Sequence, residues 1–145
     1  VELVVDERVT VRRGADWFSP IANSAMKAYL ADPKSDRAVV QKLTAAWVVR
    51  NEIVANGDER SRLQQEYRTL SQATEETRRN LRAIEKNPSA EALRQKLTAR
   101  LAVAATKLDE LSRKVVELDA KLGELGVQFK EAIRDIKVTP PAAEF

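Results

Sequence analysis

Leu101, Ala104, Leu108, Leu111, Val115, Leu118, Leu122, Leu125, Phe129, Ala132 and Ile136 follow one another at alternating steps of three and four. On a helix of about 3.6 residues per turn, this spacing keeps every apolar side chain on one narrow stripe, sustained here over five heptads. A stripe of that length has to be covered, and a heptad stripe is covered by another helix. The remaining sequence is therefore read for that partner.

The partner lies upstream. Ser35 or Asp36 can cap a helix, and no proline interrupts the chain from there until Pro88. Ile53, Leu63, Tyr67, Leu70, Leu81 and Ile84 hold a heptad register, which Ala46 and Val49 extend backwards. The run Asn56, Gly57, Asp58 is the weak point, but a glycine costs only about 1 kcal/mol against alanine, and the spacing predicts a continuous helix. Val39, Val40, Leu43 and Trp47 fit a shifted register, so a stutter is expected near Trp47. Lys86, Asn87 and Pro88 form the turn, with Ser89 capping the return helix.

Charges flanking the two stripes test the pairing. In an antiparallel coiled coil, g positions face g and e positions face e. If opposed core residues have numbers totalling 171, then Glu66 meets Lys107, Glu59 meets Lys114 and Glu52 meets Lys121 on the g side. On the e side Arg78 meets Glu91, and Arg50 meets Asp119. All five pairs have opposite signs. Exposed pairs contribute about 0–1 kcal/mol each, so they select register more than they stabilise. The same register sets Asn56 opposite Val115, Arg60 opposite Leu111 and Thr77 opposite Arg94 as polar core layers. Arms of about 45–50 residues would be about 65–75 Å long.

The ends suggest a small base. Val5, Val9 and Val11 alternate with polar residues and read as a strand around residues 8–12, ended by Gly14. Ser19 and Pro20 are N-cap and first residue of a short helix running to about Ala31, where Asp32 and Pro33 stop it. Trp17 and Phe18 are expected in a local core with Ile21, Met26 and Tyr29, rather than as a binding platform. Residues 136–139 read as a second strand, lying beside the first. The expected fold is thus mainly α, a long antiparallel coiled-coil helical hairpin on a base of one short helix and two terminal β-strands. Its divisions are 1–34 for the base, 35–136 for the hairpin with its turn at 85–89, and 137–145 for a short strand and a disordered tail.

Composition narrows the chemistry. The chain has 25 basic and 22 acidic residues, no histidine and no cysteine. The commonest general base, the commonest zinc ligand and every thiolate are therefore missing. No phosphate-binding glycine loop, nucleophile motif or metal-ligand spacing is present. The neighbouring carboxylates Asp58 with Glu59, and Glu75 with Glu76, point about 100° apart on a helix and do not converge. The reading is no enzyme, no catalytic residues, no metal and no cofactor.

One cluster stands out. Arg78, Arg79, Arg82, Lys86, Arg94, Lys96 and Arg100, against Glu75, Glu76, Glu85 and Glu91, leave +3 at the turn, equal to the whole chain's net charge. Arg78, Arg79, Arg82, Lys86, Arg94 and Lys96 are the candidate partner-binding tip, with an ordinary solvated tip as the plainer reading. The partners indicated are another protein or other parts of a parent chain, with a homodimer as a further arrangement, since exposed apolar seams associate side by side. Nucleic acid is not favoured by so even a charge mixture, and no apolar run is long enough to span a membrane. Opening on Val1 rather than methionine points to a piece of a longer chain.

Between Asp58 and Gly126, the Arg-Asn-Leu-Arg run at 79–82 just before the turn, the leucine-rich return helix and the strand expected ahead of the long helix carry a resemblance. The chain resembles the carboxy-terminal part of mucoidy-inhibitor-A-like bacterial proteins, a domain of unknown function. What the resemblance implies is a helical hairpin projecting from a β-rich domain, and no activity. The function expected is a non-catalytic structural or protein-interaction module. The alternative is binding of nucleic acid or an anionic surface through the basic tip.

Overall fold

The computed structural model describes residues 17–134 and residue 136, and about 90% of these are helical. Three α-helices follow one another: α1 Pro20–Ala31, α2 Arg37–Ile84 and α3 Glu91–Arg134, with a 3-10 turn Pro88–Ala90 ahead of α3. Each start has a local cause. Ser19 Oγ accepts from the Ala22 N–H at 3.1 Å, and Pro20 occupies the first helical position, where no N–H is needed. Asp36 Oδ1 accepts from the Ala38 N–H at 2.9 Å to begin α2. At the turn the cap is Asn87, whose side chain accepts from the Ser89 N–H at 3.1 Å. Ser89 lies inside the 3-10 turn instead of capping α3, because an asparagine side chain reaches the N–H two residues on.

The mainly α fold stands, but the two terminal β-strands do not: there is no strand among the described residues. The expected first strand, around 8–12, and most of the second, 137–139, lie outside the described residues. Ile136 is described and is not in a strand. Its N–H donates to the Ile133 carbonyl at 3.1 Å, and its side chain packs on a core of Met26, Leu43 and Trp47. A short apolar run cannot distinguish a strand from a helix end that rests on a core, and here the second applies.

The chain divides into two compact units, residues 1–54 with 125–145, and residues 55–124. In the first, α1 and the start of α2 enclose Met26, Leu43 and Trp47, with Trp17, Tyr29, Leu30 and Val39 packed around them. Trp17 meets Trp47 and Phe129 edge-on, with centroids 6.5 and 6.1 Å apart. Met26 and Tyr29 therefore join the expected local core, whereas Ile21 is 81% exposed and does not. Trp47 Nε1 donates to Asn23 Oδ1 at 2.8 Å, so the buried indole N–H is satisfied.

The second unit is a helical hairpin built from α2 up to Ile84 and α3 from Glu91. Leu63, Leu97, Ala104 and Leu111 are buried in it, Leu111 to 1% exposure. Thr74 is also buried, and its Oγ1 donates to the Leu70 carbonyl at 2.7 Å, which removes the penalty of a hydroxyl in an apolar seam. Along α3 every seam residue from Leu101 to Ala132 is buried or half-buried. Helix α2 passes through Gly57 without interruption.

Candidate interaction surface

The turn organises its charges chiefly for its own structure. Arg94 Nη1 donates to the carbonyls of Ile84 at 3.1 Å, Glu85 at 3.4 Å, and Asn87. Its Nη2 pairs with Glu91. The last carbonyls of a helix have no intrahelical donor, and a cation there also meets the negative end of the helix dipole. Arg94 thus closes the turn. Glu91 is held below its ordinary carboxylate pKa mainly by the hydrogen bond from Arg94. Arg78 and Arg82 both approach Glu75, at 3.3 and 3.8 Å. Arg79, Lys86 and Lys96 are exposed and, among the described residues, have no carboxylate partner.

Of the residues expected to set the register, Glu66 and Lys107 come together, with Oε1 and Nζ 3.8 Å apart. Glu59 pairs with Arg62 at 2.7 Å. That hydrogen bond lowers its pKa most, and the Lys114 charge lowers it further. Arg62 also reaches Glu66 at 3.3 Å. Lys121 is exposed, as is Glu52, which has interactions of its own. The two e-side pairs are not formed. Glu91 takes Arg94 instead of Arg78, because the two lie three residues apart on α3, where side chains share a face. Asp119 takes Arg60 instead of Arg50.

Arg50 has a different environment, in the first unit. It is 7% exposed, donates through Nε to the Trp17 carbonyl at 3.0 Å and through Nη2 to the Phe18 carbonyl at 2.9 Å, and lies 5.0 Å from the Trp47 ring centroid. Backbone acceptors and an aromatic face there replace the expected carboxylate. Arg60 thus bridges the two helices, with Nε on Asp119.

The two flanks of the hairpin differ. The g side carries Glu59, Glu66, Lys107 and Lys114. On the e side, Gly57, Gln64 and Ser71 of α2 and Thr98, Ala105 and Ser112 of α3 are uncharged and mostly small. An open groove of about 320 Å³ lies on this side, lined by Gln64, Tyr67, Arg68, Ser112, Val115 and Val116. Tyr67, expected in the seam, is 39% exposed at its edge, and Val116 is 64% exposed. The sequence reading missed this groove, although the charge-free e positions were its signal.

Among the described residues no group of histidine, cysteine, aspartate or glutamate is placed to hold a metal ion, and no helix is long and apolar enough to cross a membrane. No protein-family model, curated protein or solved structure matches the chain.

Proposed function

We propose that the chain is a non-catalytic structural and protein-interaction module, a helical hairpin that meets its partner across the outer faces of its helices. The observation that supports this most is the asymmetry of the flanks: one is charged at successive g positions, while the other presents a groove in which Tyr67, Val115 and Val116 line up with Gln64, Arg68 and Ser112, with Tyr67 and Val116 exposed. Single exposed apolar residues need no explanation, but a grouped set around a groove is the usual form of a contact surface. The resemblance to mucoidy-inhibitor-A-like proteins adds the proposal that the hairpin projects from a larger, β-rich bacterial protein. A photo-crosslinking residue at Val116, on the groove side, tests the reading in the cell of origin. Discrete protein adducts from Val116, absent when the same group replaces Glu110, support it. No adduct from Val116 overturns it.

A second reading rests on Arg79, Lys86 and Lys96, the tip cations that no carboxylate occupies among the described residues. They could meet phosphate or another anionic surface, and such binding would be salt-dependent. Changing all three to glutamine should abolish binding to duplex nucleic acid or anionic vesicles. No binding at low salt ends this reading.

A further inference from the structure

We propose that the e-side groove seats a second copy of this chain, with the two hairpin units face to face about a two-fold axis running along their helices. Helix α2 of each lies over α3 of the other, and Arg68 of each meets Asp109 of the partner. The inference rests on the interaction-module reading above and names its partner. Three observations carry it.

The first is the charge pattern of the face. Between Gly57 and Ser71 this side of α2 carries Arg60, which Asp119 and Gln64 already take, and Arg68; between Thr98 and Val116 the matching charge on this side of α3 is Asp109. One cation on one rim and one anion on the other is the simplest self-complementary arrangement, as an isologous contact requires. The second is level. The Glu66–Lys107 and Arg60–Asp119 pairs fix how α2 and α3 run past each other, and they place Arg68 and Asp109 within about one turn of the same height on opposite helices. A two-fold axis across the helices would instead bring α2 onto α2, with Arg68 near Arg68 and Asp109 near Asp109, and like charges opposed in this way are disfavoured. Asp109 already pairs with Arg113 at 2.9 Å through Oδ2, which leaves Oδ1 for the partner. The third is contact surface. Tyr67 and Val116 supply exposed apolar area beside the groove, and Ser71, Ala105 and Ser112 are small enough for helices to approach closely.

Sedimentation equilibrium of the 145-residue chain, with circular dichroism as the folding control, tests this. The wild type should have the mass of two chains. Val116→Asp places a carboxylate on an exposed position, and Arg68→Asp opposes the partner's Asp109. Each should weaken the dimer at least about tenfold with helicity unchanged. The charge exchange Arg68→Asp with Asp109→Arg should restore it. A wild type that is monomeric at every concentration overturns the proposal, as does a dimer indifferent to Val116→Asp, or an exchange that fails to restore association. A monomer whose Val116 cross-links to a different protein sinks the dimer alone, whereas a chain with no cross-link from Val116 sinks the module.

Discussion

Arg94 and Ile84, one from each long helix, are joined across the turn by a hydrogen bond of 3.1 Å from the guanidinium Nη1 to the Ile84 carbonyl oxygen. The same nitrogen reaches Glu85 and Asn87, so one side chain serves the loose end of α2 and the turn beyond it. Arg94→Ala should therefore lower stability by about 1–3 kcal/mol, since several carbonyls lose a charged donor together. Arg94→Lys should recover only part, because an ammonium cannot reproduce the planar fork. Arg79→Ala, a few residues away and exposed, should stay within about 0.5 kcal/mol. Urea titration followed by circular dichroism would compare the three. Equal losses at Arg94 and Arg79 would refute a turn-closing role.

Arg50 gives a prediction for the first unit. Its guanidinium is buried and satisfied by the Trp17 and Phe18 carbonyls and the Asn51 side chain. Arg50→Leu preserves much of the apolar stem but deprives the two carbonyls of their donor, which should cost about 1–3 kcal/mol. Trp17 and Trp47 are the only tryptophans, and both belong to this unit. Tryptophan fluorescence therefore reports on it selectively. The variant should lower the fluorescence midpoint, and an unchanged midpoint would show that these hydrogen bonds are replaceable by water.

Arg50 also shows where the sequence stops being legible. Residue type and spacing gave the α3 seam, the cap at Ser19, a cap at Ser35 or Asp36, of which Asp36 serves, and the turn near Asn87. Charge matching gave Glu66 with Lys107, a contact between the two helices, because both residues flank the seam at one level. It failed for Arg50, whose choice depends on the carbonyls of residues 17 and 18, which the heptad does not contain, and for Arg78, because Glu91 meets Arg94 three residues on along its own helix. Ile136 failed differently. Its apolar neighbours fit a strand as well as a helix end, and only the tertiary core of Met26, Leu43 and Trp47 separates the two. The e-side groove is written in residues that lack charge, and a search for charged pairs passes over them.

Acid should weaken the fold through Glu59 and Glu91. Both carboxyls titrate below their ordinary value of 4.5 when folded, each held down first by a hydrogen bond from an arginine, Arg62 and Arg94 respectively. The unfolded chain then binds the proton more readily, so their contribution is complete above the unfolded pKa and is lost as pH falls through the folded one. With no histidine, no side chain at its ordinary pKa titrates between about pH 5 and 8. Melting temperature should thus be nearly flat there and decline below about 4.5. Both carboxylates are exposed, so the effect should be small and weaker in salt. The double variant Glu59→Gln, Glu91→Gln should show a shallower decline, and an identical acid limb would remove these two groups as its cause.

Gly57 offers a prediction in the opposite direction. It stands within α2, at ordinary negative φ, and a Cβ added there would meet nothing within 4 Å. Its flexibility is therefore not required by local geometry, and glycine inside a helix costs about 0.5–1 kcal/mol relative to alanine, chiefly through the freedom the unfolded chain gives up. Gly57→Ala should raise stability by that amount, or about 2–4 °C in melting temperature for a chain of this size. The position also lies on the e flank, where a second copy would approach. If alanine stabilises the isolated chain but leaves the dimer as tight as before, Gly57 lies beyond the contact. If it weakens association while raising stability, the glycine is kept for close approach of the partner helix. A loss of stability would mean instead that α2 does not continue as a regular helix through residue 57, and the account of the hairpin's first arm would have to change.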